Sequence, residues 1–114
     1  MLTIDTLNGF GANTAEGLAR CLNREDFYFR LVRMAAADAG FETLKNALDE
    51  RDLDRAFETA HALKGVLGNL ALTPLFEPIA EMTEHLRSRE DIDYTEWMIP
   101  ITHRIASLRA LCDD

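Results

Sequence analysis

Apolar residues recur at intervals of three and four along Leu53, Ala56, Ala60, Leu63, Leu67 and Leu70. At about 100° per residue this spacing lines one side of an α-helix. It cannot line one face of a strand, which needs alternation by two. The same period returns in Leu75, Ile79, Met82 and Leu86, and again in Trp97, Ile101, Ile105 and Leu108. Such stripes are buried by packing helix against helix. Three prolines and six glycines in 114 residues leave room for long helices. No Asn-Gly or Asp-Gly pair stands between alternating apolar runs to make a hairpin.

Capping residues divide the chain. Residues 1–12 read as a lead-in segment in which Gly9 and Gly11 break any helix. Asn13 or Thr14 caps a short helix reaching about Leu22, with Glu16 in its first turn. Asn23 caps the next, with Glu25 and Asp26 at its positive end. Phe27, Leu31, Met34, Phe41, Leu44 and Leu48 keep one phase across Gly40, which predicts a single long, bent helix over 24–50. Asp52 opens a helix running to about Leu70. Thr73 then caps a helix with Pro74 at its first position, and Pro78 bends it or delays its start. Asp93 with Glu96 makes a capping box for the last helix, which Pro100 kinks. Short loops between amphipathic helices make antiparallel neighbours. The expectation is one all-α domain over 1–114, an antiparallel up-down four-helix bundle with a short extra N-terminal helix.

A net charge of −8 disfavours nucleic acid and anionic lipid as partners. The start Met1-Leu2-Thr3-Ile4-Asp5 has no charged n-region and apolar run, and no apolar run approaches the roughly 18 residues of a membrane span. Cys21 and Cys112 lack neighbours at metal-binding spacing and read as reduced thiols of a cytoplasmic, monomeric protein. Met1 and the short tail Cys112-Asp113-Asp114 favour a freestanding chain.

One stretch departs from simple core-forming helix. In Ala60-His61-Ala62-Leu63-Lys64-Gly65-Val66-Leu67-Gly68-Asn69, His61 falls at the edge of the buried stripe. Gly65 and Gly68 lie beside it, and Lys64 lies between it and the core. Each helical glycine costs about 1 kcal/mol against alanine, so two beside one histidine suggest a surface kept bare for something that reaches the imidazole. A neutral imidazole is a nucleophile near pH 7, and a lysine one turn away can meet anionic oxygens as a point charge. Glu58-x-x-His61 has the spacing of a di-iron carboxylate bundle, but the second such motif and two further inward glutamates are missing. No G-x-x-x-x-G-K-[ST] loop for ATP occurs and no carboxylate cluster for a metal. His85 and His103 read as ordinary surface histidines. Phe27-Tyr28-Phe29 and Trp97 read as packing residues.

The run His61-x-Leu63-Lys64-Gly65, followed by Gly68 and Asn69-Leu70, resembles the histidine-containing phosphotransfer (HPt) domain of multistep phosphorelays. The resemblance covers about residues 12–112 and includes Asp52 at the head of the histidine helix and the start Thr73-Pro74-Leu75. It implies a helical bundle whose His61 carries a phosphoryl group between receiver domains, with Lys64 stabilising the phosphate. Gly65 and Gly68 would give the partner access. The magnesium and most catalytic groups would come from the receiver of a response regulator or hybrid kinase, so the chain would be a carrier without an ATP site of its own. Leu18, Phe57 and Thr83 are the candidates for the docking face. Two positions depart from the family pattern. Ala71 stands where many members have glycine. Thr83 stands where members often place a Glu or Gln that bonds the histidine ring, which leaves that role to Thr83 or neighbouring Glu84. The competing reading is a degenerate bundle acting only as a protein-binding scaffold. A histidine-kinase dimerisation module fits less well, because Ala62 and not an acidic residue follows His61.

Overall fold

The structure is a computed structural model that describes residues 1–113. Among the described residues the regular elements are helices: α1 (Ile4–Phe10), α2 (Thr14–Arg20), α3 (Glu25–Ala36), α4 (Gly40–Asp49), α5 (Leu53–Asn69), α6 (Thr73–Arg87) and α7 (Thr95–Cys112). The all-helical bundle expected from the apolar period is what forms. α5 packs between α4 and α6, and α7 packs on both α6 and α3. Three-residue connections at 50–52 and 70–72 turn the chain back on itself, so α4, α5 and α6 run antiparallel. Leu63, Leu67, Leu75, Ile79, Met82, Leu86, Ile101 and Leu108 meet in the core.

The single helix expected over 24–50 is two helices. α3 ends where Ala37 N–H donates to the Arg33 carbonyl, and Asp38 then turns the chain, its Oδ1 accepting from Gly40 N–H at 2.7 Å. A Cβ on Gly40 would lie 3.1 Å from Leu63 Cδ2, so glycine lets the head of α4 sit close on α5. Arg109 of α7 clasps the break. Its Nε donates to the Ala36 carbonyl at 2.7 Å and its NH1 pairs with Glu42 at 3.0 Å. That guanidinium holds the Glu42 carboxyl below its usual range. Met34, expected inward, is 62% exposed. The buried residues of α3 are Tyr28, Val32, Ala35 and Ala36. The seven-residue spacing of Met34, Phe41 and Leu48 thus joins an outward residue of α3 to inward ones of α4, which is why the spacing alone misleads.

Other helix ends also differ from expectation. The lead-in contains α1, because Thr3 and Thr6 form a reciprocal capping box and Leu2 and Leu7 are buried. Gly9 lies within α1. Gly11 ends it at φ +108°, a conformation glycine adopts freely. Asn23 does not cap α3. With Leu22 it forms a left-handed turn at φ +56° and +59°, and Arg24 precedes the helix without a side-chain cap. α6 begins one residue early, with Thr73 and Pro74 both in its first turn and Leu72 at the cap position. The expected Asp93–Glu96 capping box does not form: Tyr94 holds the cap position of α7, and Asp93, one residue earlier, accepts from the Thr95 N–H and hydroxyl. Those bonds lower its pKa, and Glu96 takes no part. Asn13 and Asp52 cap α2 and α5 as expected, accepting from Glu16 and Arg55 N–H. Pro78 lies inside α6 and lacks the N–H that would bond the Pro74 carbonyl. Arg104 of α7 donates to that carbonyl at 2.8 Å instead. Cys21 and Cys112 are not joined in a disulfide.

Tyr28 ties the N-terminal cap to the bundle. Its ring is fully buried, and its hydroxyl donates to the Leu70 carbonyl at the end of α5, 2.9 Å away. Burial, with a smaller contribution from Cys21, pushes its phenol up to about 12. The unfolded chain ionises this group near pH 10. The folded pKa is the higher one, so the associated stability is fully present below about pH 10 and is lost as pH rises through about 12. Tyr28→Phe is expected to be less stable by about 1 kcal/mol at pH 8, for the lost hydrogen bond. The gap to the natural chain should close as denaturant melts move above pH 10, and a constant gap would count against the assignment.

Candidate functional site

α5 carries the site. Its inward face is Ala56, Ala60, Leu63 and Leu67, all buried. Turning away from that face, His61 is exposed and Lys64, one turn on, is half-buried. With Gly65 and Gly68 they border a shallow open depression whose other walls include Phe76 of α6 and Arg20 of α2. Neither the His61 ring nitrogens nor the Lys64 ammonium has a hydrogen bond or ion pair among the described residues. The imidazole is thus a free nucleophile beside an unneutralised cation, able to attack an electrophile and hold an anionic oxygen nearby.

The two glycines differ. A Cβ on Gly65 would meet nothing within 4 Å, so no packing demand accounts for glycine there. A Cβ on Gly68 would lie 3.0 Å from the Phe76 ring, so Gly68 lets that ring settle on α5. Packing alone accounts for Gly68, whereas the depression beside Gly65 is open.

Among the candidate docking residues, Leu18 and Phe57 are half-buried and packed against the core. Thr83 is not available. It is 0% exposed and its hydroxyl donates to the Ile79 carbonyl at 2.6 Å. A threonine is short enough to fold back on its own helix, so Thr83 neither meets a partner nor turns outward to the histidine. Glu84 is exposed and pairs with Arg87. The group in contact with the imidazole is Phe57, stacked on it with centroids 5.6 Å apart. Arg87 and Arg89 lie over that same Phe57 ring. Neither arginine was anticipated from sequence, being 30 or more positions from Phe57.

Glu58 is exposed, directed away from the core, as its wheel position requires. No group of three or more His, Cys, Asp or Glu is placed to hold a metal ion among the described residues. No described helix is long and apolar enough to cross a membrane. His85 is half-buried, its Nδ1 2.9 Å from Glu90 and its ring against Trp97. His103 is exposed.

The family model of the Hpt domain matches residues 32–111, from the middle of α3 to the end of α7. The chain belongs to the Hpt domain family. No curated protein and no solved structure matches it. The match spans the whole of α5, with His61 near its middle. α1, α2 and the first half of α3 lie outside the match, and in this Hpt domain they form the cap that brings Arg20 to the edge of the depression. Arg20 is held there by Glu16 at 2.7 Å and Asn69 at 3.3 Å.

Proposed function

We propose that this Hpt domain is a phosphohistidine carrier in a two-component phosphorelay. His61 takes a phosphoryl group from the aspartyl phosphate of one receiver domain and gives it to another. A ring nitrogen of His61 attacks phosphorus, an N–P bond forms, and the P–O bond to the aspartate breaks, releasing a carboxylate. The observation that carries this reading is the solvent-facing imidazole in the middle of the histidine helix of an Hpt domain, with an unpaired lysine one turn away. Transfer of this kind is catalysed by positioning and charge neutralisation. Lys64 supplies one charge, and the magnesium belongs with the receiver. Gly65 leaves space for the receiver's acidic pocket, with Leu18 and Phe57 at the rim of the docking face. The carrier is a cytoplasmic monomer.

The test is to mix the chain with a phosphorylated receiver domain and magnesium. Phosphate should move to the chain, be labile to acid and stable to base, and map to His61 by mass spectrometry. A chain that binds the receiver and takes no phosphate would be a scaffold. Lys64→Ala is expected to slow transfer by about tenfold, roughly 1.4 kcal/mol of transition-state stabilisation. Natural rates and an unchanged phosphohistidine lifetime in that variant would remove Lys64 from the chemistry.

A further inference from the structure

We propose that Phe57 is a positioning residue for His61, and that Arg89 holds Phe57 in that role. The inference rests on His61 being the phosphoacceptor. Phe57 lies one turn before His61 on α5. The two rings are 5.6 Å apart between centroids and 23° from parallel. With no hydrogen bond to the imidazole nitrogens among the described residues, this stack is the contact that restricts the ring. An unrestrained surface side chain hops between rotamers within nanoseconds. The near-parallel Phe57 ring limits the swing of the imidazole, whose nitrogens have no hydrogen-bond partner among the described residues. In-line attack on phosphorus requires a ring nitrogen to point at the partner.

Phe57 is itself clamped. The guanidinium carbon of Arg89 lies 4.6 Å from its ring centroid, and that of Arg87 lies 5.2 Å away. Arg89 is anchored on several sides. Its Nε donates to Asp54 Oδ1 at 2.6 Å, and its NH1 donates to the Leu86 and Arg87 carbonyls at 3.0 and 3.1 Å. Its backbone sits at φ +54°, a region large side chains rarely adopt. Asp54 is one turn before Phe57, so the clamp joins the end of α6 to the histidine helix beside the reactive ring. A merely solvating arginine would keep its rotamer freedom instead of fixing one guanidinium against a carboxylate, two carbonyls and a ring.

The experiment measures phosphotransfer from a phosphorylated receiver domain, with kcat and KM separated, for the natural chain and for Phe57→Leu, Phe57→Tyr and Arg89→Gln. Thermal melts check folding, and NMR follows the ring-to-ring Overhauser effect between residues 57 and 61. Phe57→Leu keeps an apolar side chain at the rim of the docking face but removes the ring, so it is expected to lose about tenfold in kcat with KM within about twofold. Phe57→Tyr should restore kcat. Arg89→Gln should fall between, with a weakened Overhauser effect. Natural kcat in both Phe57→Leu and Arg89→Gln overturns the proposal, as does a rise in KM at unchanged kcat, which would make Phe57 a docking residue only. If Phe57→Leu unfolds, Arg89→Gln, altering an exposed side chain, decides alone. A natural chain that accepts no phosphate overturns instead the underlying assignment of His61.

Discussion

His61→Gln is expected to abolish phosphate acceptance, by on the order of a thousandfold or more, while the fold stays intact. Glutamine is similar in reach to histidine but its amide nitrogen is not a nucleophile, so no N–P bond forms and positioning by the surroundings has nothing to act on. The exposed ring makes no hydrogen bond to the described protein, so its loss should move stability by no more than about 0.5 kcal/mol. The variant should therefore melt with the natural chain and still bind the receiver. His85→Gln and His103→Gln serve as controls and should transfer normally. The His85 ring is engaged by Glu90 and Trp97, and His103 lies apart from the depression that holds Lys64. Radiolabel or phosphate-shift electrophoresis on the three variants reads the outcome. Acid-labile phosphate persisting on His61→Gln at the natural rate would end the assignment.

The histidine helix was legible because its information is local. Asp52 caps its own helix, the stripe from Ala56 to Leu67 repeats within a few turns, and the exposure of His61 follows from its angle to that stripe. Features set by contacts between distant segments were not. Gly65 and Gly68 look alike in sequence, and only the Phe76 ring arriving from α6 tells them apart. The bend at Ala37–Ala39 leaves the seven-residue apolar spacing in the sequence while Met34 faces outward, and its clasp, Arg109, lies 73 positions from the carbonyl it caps. The family resemblance puts Thr83 near the histidine without fixing which way it faces. Its burial depends on the rotation of α6, which a stripe fixes only to within a residue. A local signal for α1 existed in Thr3 and Thr6, but a threonine at the third helical position is a weaker cue than the Glu or Gln of the usual capping box.

The second large effect is expected at Gly17, where propensity and packing oppose each other. Gly17 lies inside α2, so Gly17→Ala should stabilise by about 1 kcal/mol if helix propensity alone decided. A Cβ there would stand 2.6 Å from Cε1, Cζ and the hydroxyl oxygen of Tyr28. Two ring carbons and the hydroxyl oxygen at that distance cannot be relieved by turning one torsion. The ring is enclosed on all sides and held by its bond to the Leu70 carbonyl, so either α2 lifts off or Tyr28 leaves that carbonyl. Overpacking costs about 1–3 kcal/mol, and three contacts at 2.6 Å put this one at the upper end, about 3 kcal/mol, well above the propensity gain. Gly17→Ala is therefore expected to lose about 2 kcal/mol net, roughly 8 °C in Tm for a domain of this size. In a Tyr28→Leu background the clash has no ring to meet, and the same substitution should be neutral or mildly stabilising. The double-mutant cycle then gives a coupling of about 2 kcal/mol between residues 17 and 28. Because α2 carries Arg20 to the depression beside Lys64, lifting it should also weaken receiver binding while leaving His61 chemically competent. KM should rise in Gly17→Ala with kcat held near the natural value. A Tm equal to or above that of the natural chain would mean the Gly17–Tyr28 contact is loose enough to yield, and α2 would then be docked by its neighbours and not by this pair.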